Sequence, residues 1–354
     1  MRIVITGATG NIGSAVVRRL SGEGHDLVGI ARRVPEDGDR FAPTVAWMSA
    51  DLSSPSSAAV LDAAVAGADA VVHLAWGFQP SHDLRYLEAL GVGGTRRVVT
   101  AVTAARVPHL VHMSSIGAYS PKGDNTPVSE SWPTDGVRSS RYSVHKAAAE
   151  RLLDAVDLRG DVLVSRLRPG IVGQRSAGSA LLRYGLPGIV PSAVLDHIWL
   201  LPLDPRLAIP MVHTHDVADA VARELARRVG GAFNLAAEPA VTAGDIAAAL
   251  HAHLVPVPAP LVRMAMSVAW HARLQQVDTG WLDMAYALPL LDTSRARSEL
   301  GWSPTVDGVS VLREVLAGMR HGDADDTAVL RPRRVPEAVR DFVTRGPVGM
   351  RDRT

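Results

Sequence analysis

Short apolar runs alternate with longer Ala-rich runs along the first half of the chain. The short runs are rich in Val, Ile and Leu, and they predict strands at residues 3–6, 27–31, 70–74 and 110–114. The longer runs place apolar residues at helical spacing and predict helices at residues 11–21, 58–65, 95–105 and 139–158. This alternation predicts an α/β fold built on a doubly wound parallel sheet.

The second half of the chain has weaker periodicity. Predicted strands at residues 162–168 and 211–213 flank a stretch rich in Gly and Pro, 170–210, which we interpret as an insertion. A helix at 218–228, a strand at 232–235, a helix at 243–253 and an apolar segment at 261–274 follow. We expect a larger domain from residues 1–170 and about 205–236, and a smaller, mostly helical domain from 171–204 and 237–320. Residues 321–354 are predicted to form an exposed tail with one short helix near 336–343.

Composition narrows the class of protein. Of the 354 residues, 47% are hydrophobic and 21% charged, as in soluble globular proteins, and a net charge of +1 argues against a polyanion binder. The absence of cysteine excludes disulfides and thiolate catalysis. The N-terminus does not resemble a signal peptide, and the apolar runs fall short of the roughly 20 residues that span a bilayer. We therefore expect a cytoplasmic protein that binds neither nucleic acid nor membrane.

A glycine-rich turn, TGATGNIG at residues 6–13, joins the first predicted strand to the first predicted helix. In this context Gly7 allows the tight turn, Gly10 lets the backbone approach a pyrophosphate, and Gly13 lets the helix pack close to the sheet. The N–H groups at the start of the helix would then face the phosphates. The arrangement predicts a dinucleotide-binding loop, and the alternative is a glycine-rich turn without a ligand.

The end of the second predicted strand bears on the choice of dinucleotide. NAD-specific folds usually place an Asp or Glu here to accept a hydrogen bond from the ribose 2′-hydroxyl. This chain has Ala31, followed by Arg32 and Arg33, whose guanidinium groups could bind a 2′-phosphate. We predict NADP(H), with NAD(H) as the alternative. The simpler interpretation of the two arginines is a solvated pair at a strand end.

A Tyr-x-x-x-Lys pair, Tyr142 and Lys146, lies on one face of the helix predicted at 139–158. We expect the ammonium of Lys146 to favour tyrosinate and to lower the pKa of Tyr142 from its usual value of about 10. Tyr142 would then act as an acid or base near neutral pH. The pair therefore predicts proton transfer to or from a substrate oxygen.

With these motifs the chain resembles the extended branch of the short-chain dehydrogenase/reductase superfamily, the epimerase/dehydratase-like group. The resemblance covers about residues 1–320. It is carried, in the family's order, by TGATGNIG (6–13), DL (51–52), VHLA (72–75), SSIGAY (114–119), YSVHK (142–146), LRPG (167–170), VHTHDVA (212–218) and LGWSP (300–304). It implies that the larger domain is a Rossmann-type dinucleotide-binding domain and that the smaller one binds substrate.

The resemblance also assigns roles to individual residues. Ser115 would hold the substrate oxygen beside Tyr142, while Lys146 would bind the nicotinamide ribose. Ser114 is left out of the catalytic set, because it could equally be a strand-end hydroxyl. The predicted cofactor-binding residues are Gly7, Gly10, Asn11, Ile12, Gly13, Arg32, Arg33, Asp51, Leu52, Leu74, Ala75, Tyr142, Lys146, Pro169 and Ile171. Family members commonly dimerise through the Tyr-x-x-x-Lys helix and the helix before it, so a homodimer is expected.

Three positions depart from the family. Sugar-nucleotide members usually carry an Asn and an Arg that reach the substrate diphosphate, and this chain has Ile171 and Ile209 there. Because an apolar wall leaves a diphosphate unpaired, a nucleotide-sugar substrate is disfavoured. Gly91 replaces a common Asn, a change to which the sequence assigns no effect.

Aromatic residues favour an apolar or ring-bearing carbonyl substrate. We predict that Trp76, Phe78 and Trp199 line the substrate pocket with Ser115, and Trp270 and Trp281 are further candidates. The alternative is that these tryptophans belong to the core of the smaller domain. No metal site is predicted, because the HTHD segment at 213–216 is a strand-to-helix junction in which Thr214, His215 or Asp216 would cap the helix.

The leading hypothesis is an NADP(H)-dependent oxidoreductase that transfers hydride between the nicotinamide and a ketone or secondary alcohol on a small, mostly uncharged molecule. One alternative is an epimerase or dehydratase that uses bound cofactor transiently. A second alternative is a non-catalytic protein that senses NADP(H).

Overall fold

The structure, a computed structural model, describes residues 1–35, 44–77, 83–185, 190–272, 274 and 277–332. Its strands are Arg2–Thr6 (β1), Asp26–Ala31 (β2), Val45–Ser49 (β3), Ala70–His73 (β4), His109–Met113 (β5), Leu163–Pro169 (β6), Ile171–Gly173 (β7), Leu200–Leu203 (β8), Ala208–His213 (β9), Gly231–Leu235 (β10), Ala237–Thr242 (β11) and His253–Pro256 (β12). Its α-helices are Asn11–Ser21 (α1), Ser57–Val65 (α2), Leu84–Ala104 (α3), Arg141–Asp157 (α4), Gly178–Gly185 (α5), Thr214–Arg227 (α6), Ala243–Leu250 (α7), Ala259–His271 (α8), Thr279–Ala287 (α9), Ser294–Glu299 (α10) and Gly308–His321 (α11).

A seven-stranded parallel sheet in the order β10-β6-β5-β4-β1-β2-β3 forms the centre of the fold. Successive side chains of a strand point to opposite faces, so Ile3 and Ile5 pack with α1 and α6 on one face. Val4 packs with α2, α3 and α4 on the other. The predicted α/β fold with a doubly wound parallel sheet is confirmed.

The strand order reverses beside β1, which lies between β2 and β4. In open α/β sheets the carboxyl ends of strands at such a reversal form the crevice where ligands bind. Here β1 ends at Thr6, just before the glycine-rich turn, and β4 ends at His73. The topology therefore points to the edge of the sheet where a site is expected.

Several elements differ from their predicted bounds. The helix predicted at 95–105 begins at Leu84, and strand β3 and helix α11 were not predicted. The helix predicted at 243–253 ends at Leu250, because His251 is left-handed at φ 57° and β12 follows. Two small sheets, β11-β9-β7 and β12-β8, lie outside the main sheet. The domain boundaries remain a prediction.

Two further expectations bear on the surface. Ala147 and Ala149 of α4 are fully buried within the chain, so these alanines do not offer a surface for a second copy. The homodimer therefore stays a prediction with less support than the sequence suggested. Within the described ranges, the helices lack the length and apolar character needed to cross a membrane.

Candidate active site

The glycine-rich turn has the shape that a dinucleotide needs. Gly7 is left-handed at φ 71°, and a Cβ there would lie 2.7 Å from the backbone nitrogen of Ala75. A Cβ on Gly13 would lie 2.1 Å from the Gly7 carbonyl oxygen, so α1 can approach the turn only without a side chain. Gly10 is the N-cap of α1 and adds no side chain at the helix start. The first N–H groups of α1 therefore remain available for phosphate oxygens.

One cavity of about 440 Å³ joins this turn to the predicted catalytic residues. It is lined by every predicted cofactor-binding residue: Gly7, Gly10, Asn11, Ile12, Gly13, Arg32, Arg33, Asp51, Leu52, Leu74, Ala75, Tyr142, Lys146, Pro169 and Ile171. The lack of side chains at the turn, together with the helix start beside it, fits a nicotinamide dinucleotide. Gln174, which the sequence did not single out, donates to Asn11 Oδ1 at 2.8 Å and ties the turn to the segment after β7.

The two arginines after β2 lie in different surroundings. Arg32 donates to the hydroxyl of Tyr86 at 2.5 Å, so it is not simply a solvated side chain. Arg33 is largely exposed. Partial loss of solvent around its guanidinium, together with the positive charges of Arg331 and Arg32, lowers its pKa. Ala31 is 5% exposed at the strand end, where it offers no carboxylate. This part of the cavity lining therefore holds two arginines and has no carboxylate at the end of β2.

Helix α4 carries Tyr142 and Lys146 towards the cavity. The helix begins after Ser140, whose hydroxyl accepts from the backbone nitrogen of Ser143 at 3.4 Å. Ser115 lies at the start of a 3₁₀ helix, Ile116–Ala118, and forms a side-chain hydrogen bond with Tyr142. Lys146 Nζ donates to the backbone oxygen of Met113 at 2.8 Å. The structure thus brings the three predicted catalytic side chains together.

The expected lowering of the Tyr142 pKa is not found. Burial raises the pKa of Tyr142 to about 12, and the hydrogen bond with Ser115 only partly offsets this effect. Burial also lowers the pKa of Lys146 to about 7, with Glu150 acting in the opposite direction. The sequence reasoning considered the charge of Lys146 but could not weigh it against loss of solvent around the phenol. Tyr142 is therefore in its protonated form at neutral pH.

A buried polar network that the sequence did not predict lies next to these catalytic residues. Arg168 donates to both carboxylate oxygens of Glu150 at 2.9 Å. Ser114 donates to Glu150 Oε1 at 2.5 Å, so its hydroxyl belongs to this network. Arg168 also donates to Tyr119 at 3.0 Å. Since a buried charge is stable only when paired, the network fixes β6 against α4.

The substrate end of the cavity is aromatic and apolar. The rings of Trp76 and Trp281 flank Tyr142, with centroid distances of 6.2 and 5.1 Å. The cavity lining also includes the apolar residues Leu87, Leu90, Ile171, Ala208, Ile209, Pro210, Met211, Met284, Ala285 and Leu288. Among the described residues, the charged side chains that line the cavity are Arg32, Arg33, Asp51, Asp83 and Lys146.

The other two tryptophans considered for the substrate pocket are not found in the cavity lining. Trp199 is 73% exposed and does not belong to the residues that line the cavity, so its assignment to the substrate pocket is wrong. It precedes the short outer strand β8, whose position in a separate small sheet the sequence could not reveal. Trp270, on α8, also lies outside the lining. Phe78 falls outside the described residues.

Part of the predicted exposed tail lies against the cavity. Ala328, Val329 and Leu330 line it, and Leu330 is only 1% exposed, so the exposed-tail prediction is wrong for this part. Arg183 of α5 donates to the backbone oxygen of Val329 at 2.5 Å. These contacts join residues far apart in sequence, which periodicity does not detect. The short helix predicted near 336–343 lies outside the described residues.

The HTHD segment serves a structural purpose. His213, rather than one of the three following residues, caps α6 by accepting from the backbone nitrogen of His215 at 3.2 Å. Asp216 accepts from the hydroxyl of Thr305 at 2.6 Å. Within the part of the chain that the structure describes, there is no group of three or more potential metal ligands.

Comparison with known proteins identifies the family. The model of the NAD dependent epimerase/dehydratase family matches residues 3–236, so the chain belongs to this family. The resemblance inferred from the sequence motifs is thereby confirmed. An uncharacterized protein of Mycobacterium tuberculosis (strain ATCC 25618 / H37Rv) is 26% identical over 323 residues. The match covers 90% of this chain but only 30% of that protein.

Two relatives are matched over nearly their full length. The dTDP-6-deoxy-L-talose 4-dehydrogenase (NAD(P)(+)) of Kitasatospora kifunensis is 29% identical, with 89% of this chain and 94% of the relative covered. A 3-diazoavenalumate denitrifying reductase of a Streptomyces species is 28% identical, with 86% and 96% covered.

Solved structures confirm the fold. The UDP-glucose-4-epimerase of Stenotrophomonas maltophila, solved with bound NAD and formylated UDP-arabinopyranose, superposes with a TM-score of 0.68 at 20% identity. The superposition covers 91% of this chain and 98% of the epimerase.

Proposed function

We propose that the protein is an NADP(H)-dependent oxidoreductase that transfers hydride between the nicotinamide and a ketone or secondary alcohol on a small, mostly apolar molecule. The observation that carries the proposal is the meeting of Ser115, Tyr142 and Lys146 with the glycine-rich turn in a single cavity, where the rings of Trp76 and Trp281 flank Tyr142. The nearly full-length relationship to a dehydrogenase and a reductase is consistent with net redox chemistry.

The predicted cofactor residues divide along the cavity. The turn at residues 7–13 would hold the pyrophosphate, and Asp51 with Leu52 would lie against the adenine. Arg32 and Arg33 would bind the 2′-phosphate, which supports NADP(H) over NAD(H). Pro169 and Ile171 would flank the nicotinamide. When bound, the cofactor supplies or accepts the hydride.

The protein's own residues move the proton. In the reducing direction, Ser115 donates a hydrogen bond to the substrate carbonyl oxygen and Tyr142 transfers its phenolic proton to that oxygen. Hydride addition at the carbon and proton addition at the oxygen together give the alcohol. The raised pKa of Tyr142 keeps the phenol protonated at neutral pH, which is the form a proton donor requires. Lys146 would bind the nicotinamide ribose and orient it.

The test is a comparison of NADPH and NADH oxidation over a panel of apolar and ring-bearing carbonyl compounds. We expect NADPH oxidation to match alcohol formation. Tyr142→Phe should lower kcat by at least about 100-fold, the lower range for general acid catalysis, with cofactor Kd nearly unchanged. Tyr286→Phe is the matched control, since Tyr286 lies outside the cavity lining. Full turnover in Tyr142→Phe would contradict the mechanism.

The same assay separates the alternatives. Substrate conversion without net NADPH oxidation would identify an epimerase or dehydratase that uses its cofactor transiently. Cofactor binding without conversion of any panel member would favour a sensing protein. The cytoplasmic location and the homodimer remain predictions, which cell fractionation and light scattering would test.

A further inference from the structure

The ammonium of Lys146 is covered by an indole ring. Lys146 Nζ lies 3.6 Å from the centroid of the Trp76 ring, within the range of a cation–π contact. Lys146 is 2% exposed, and its hydrogen bond to the Met113 backbone oxygen lies on the sheet side. Trp76 lies three residues after the end of β4 and lines the cavity. Lys146 lines the same cavity, so the indole packs against the ammonium at the cavity wall.

The other groups on α4 do little to offset the loss of solvent around this ammonium. Glu150 is one helical turn away and raises the pKa of Lys146, but Arg168 pairs with both of its carboxylate oxygens. Arg166 approaches the same carboxylate at 3.4 Å. Tyr142 is neutral, since burial raises its pKa to about 12. The one nearby negative charge is thus already shared between two arginines.

The groups on the sheet do not compensate the charge either. His73 of β4 and His112 of β5 are 1% exposed, and burial together with the charge of Lys146 lowers the pKa of each. Both imidazoles are therefore neutral at physiological pH. Burial, only partly offset by Glu150, lowers the pKa of Lys146 to about 7. The contacts that favour the cation are the Met113 backbone oxygen at 2.8 Å and the face of the indole, with its negative quadrupole, at 3.6 Å; the Tyr142 ring is farther away at 6.0 Å.

A glycine on the neighbouring helix makes room for the indole. A Cβ on Gly91 of α3 would lie 3.1 Å from both Cζ2 and Cη2 of Trp76. At this distance the ring would have to shift by a few tenths of an ångström to accept a Cβ. A Cβ on Gly93, two residues later, would lie 3.2 Å from the end of the flexible Arg97 side chain and 3.8 Å from the Glu88 backbone oxygen, an ordinary contact distance. The Gly91 departure from the family pattern therefore has a structural explanation.

We propose that Trp76 is a positioning residue for Lys146, whose ammonium it holds in place and in the protonated form through the face of its indole, and that Gly91 makes this contact possible. The proposal rests on the proposed function only in giving Lys146 a role at the nicotinamide ribose. The contact itself exists without cofactor and can be tested without turnover.

The composition of the chain makes the test direct. The chain contains two lysines, Lys122 and Lys146, so protein labelled with 13C-lysine gives two side-chain Cε signals. Lys122→Arg assigns them, and Lys122 is an internal reference in the other variants. The pKa of Lys146 is measured by NMR titration of cofactor-free wild-type, Trp76→Phe, Trp76→Leu, Gly91→Ala and Gly93→Ala proteins. Thermal unfolding confirms that each variant is folded.

We expect Trp76→Leu to lower the pKa of Lys146 by about one unit, with a smaller decrease in Trp76→Phe, which retains an aromatic face. Gly91→Ala should lower it as well, because the indole is displaced. Gly93→Ala should match wild type, although both substitutions replace a glycine of α3 by alanine. The pH at which cofactor affinity falls should move in the same order.

Two results would overturn the proposal. An unchanged or raised Lys146 pKa in folded Trp76→Leu would mean that water or the remaining groups stabilise the cation as well as the indole does. Equal pKa values in Gly91→Ala and Gly93→Ala would mean that Gly91 does not control the contact. Neither result depends on turnover, so the oxidoreductase proposal would stand or fall separately in the carbonyl assay.

Discussion

The wall at the substrate end predicts how the protein treats nucleotide diphosphates. The apolar residues Ile171, Ile209 and Met211 line the cavity. Sugar-nucleotide members of the family usually carry an arginine at the position of Ile209. We therefore expect UDP and dTDP to bind the wild-type substrate end weakly, and Ile209→Arg to strengthen their binding.

The structure sets the size of this effect. Ile209 is half-buried at the wall, so an arginine stem can lie along the apolar surface while its guanidinium reaches into the cavity. Hydrogen bonds to charged groups contribute about 1.5–3 kcal/mol, and about 1.4 kcal/mol is a tenfold change in Kd. Ile209→Arg should thus lower the Kd for UDP by about 10- to 150-fold.

Isothermal titration calorimetry at fixed ionic strength measures this change. The protein is first saturated with NADP+, so that UDP cannot occupy the adenosine end of the cavity. Ile209→Leu controls for loss of the native side chain without adding charge. Micromolar UDP affinity in wild type, or no gain in a folded Ile209→Arg variant, would refute the reasoning about the apolar wall.

Three further outcomes are expected. Arg33→Gln, at an exposed position, should raise the Kd for NADPH about 10- to 150-fold and leave the Kd for NADH unchanged in fluorescence titrations. Equal effects on the two Kd values would mean that Arg33 does not bind the 2′-phosphate. Because the raised pKa of Tyr142 makes tyrosinate scarce, the rate of alcohol oxidation at saturating cofactor should rise about tenfold per pH unit from pH 7 to 9. Ketone reduction at saturating cofactor should stay flat over the same range, and a flat oxidation profile would contradict this prediction. Leu330→Ala should lower the free energy of local unfolding of its segment by about 2–5 kcal/mol, measured by hydrogen exchange, and should weaken cofactor binding, measured by titration. Leu274→Ala, at a 60% exposed position, is the control. Unchanged hydrogen exchange in Leu330→Ala would count against the role of Leu330.

The missed elements show why periodicity alone fell short. Helix α3 contains Gly91, Gly93 and Gly94, which lower helix propensity, and the sequence predicted only its second half. Close packing explains why two of these positions hold glycine, since Gly91 faces Trp76 and a Cβ on Gly94 would lie 3.3 Å from Leu52. Tertiary contacts at these positions outweighed local preference, and no local pattern reports such contacts.

The sequence by itself determined the alternation of strands and helices, the glycine-rich turn and the Tyr-x-x-x-Lys pair, because each depends on residues close together along the chain. Only the tertiary structure decided the protonation of Tyr142, the indole over Lys146, the exposure of Trp199 and the burial of Leu330. These features depend on which distant segments remove water from a given atom. Desolvation and packing are properties of the assembled cavity, and they are set only when the sheet brings its strand ends together.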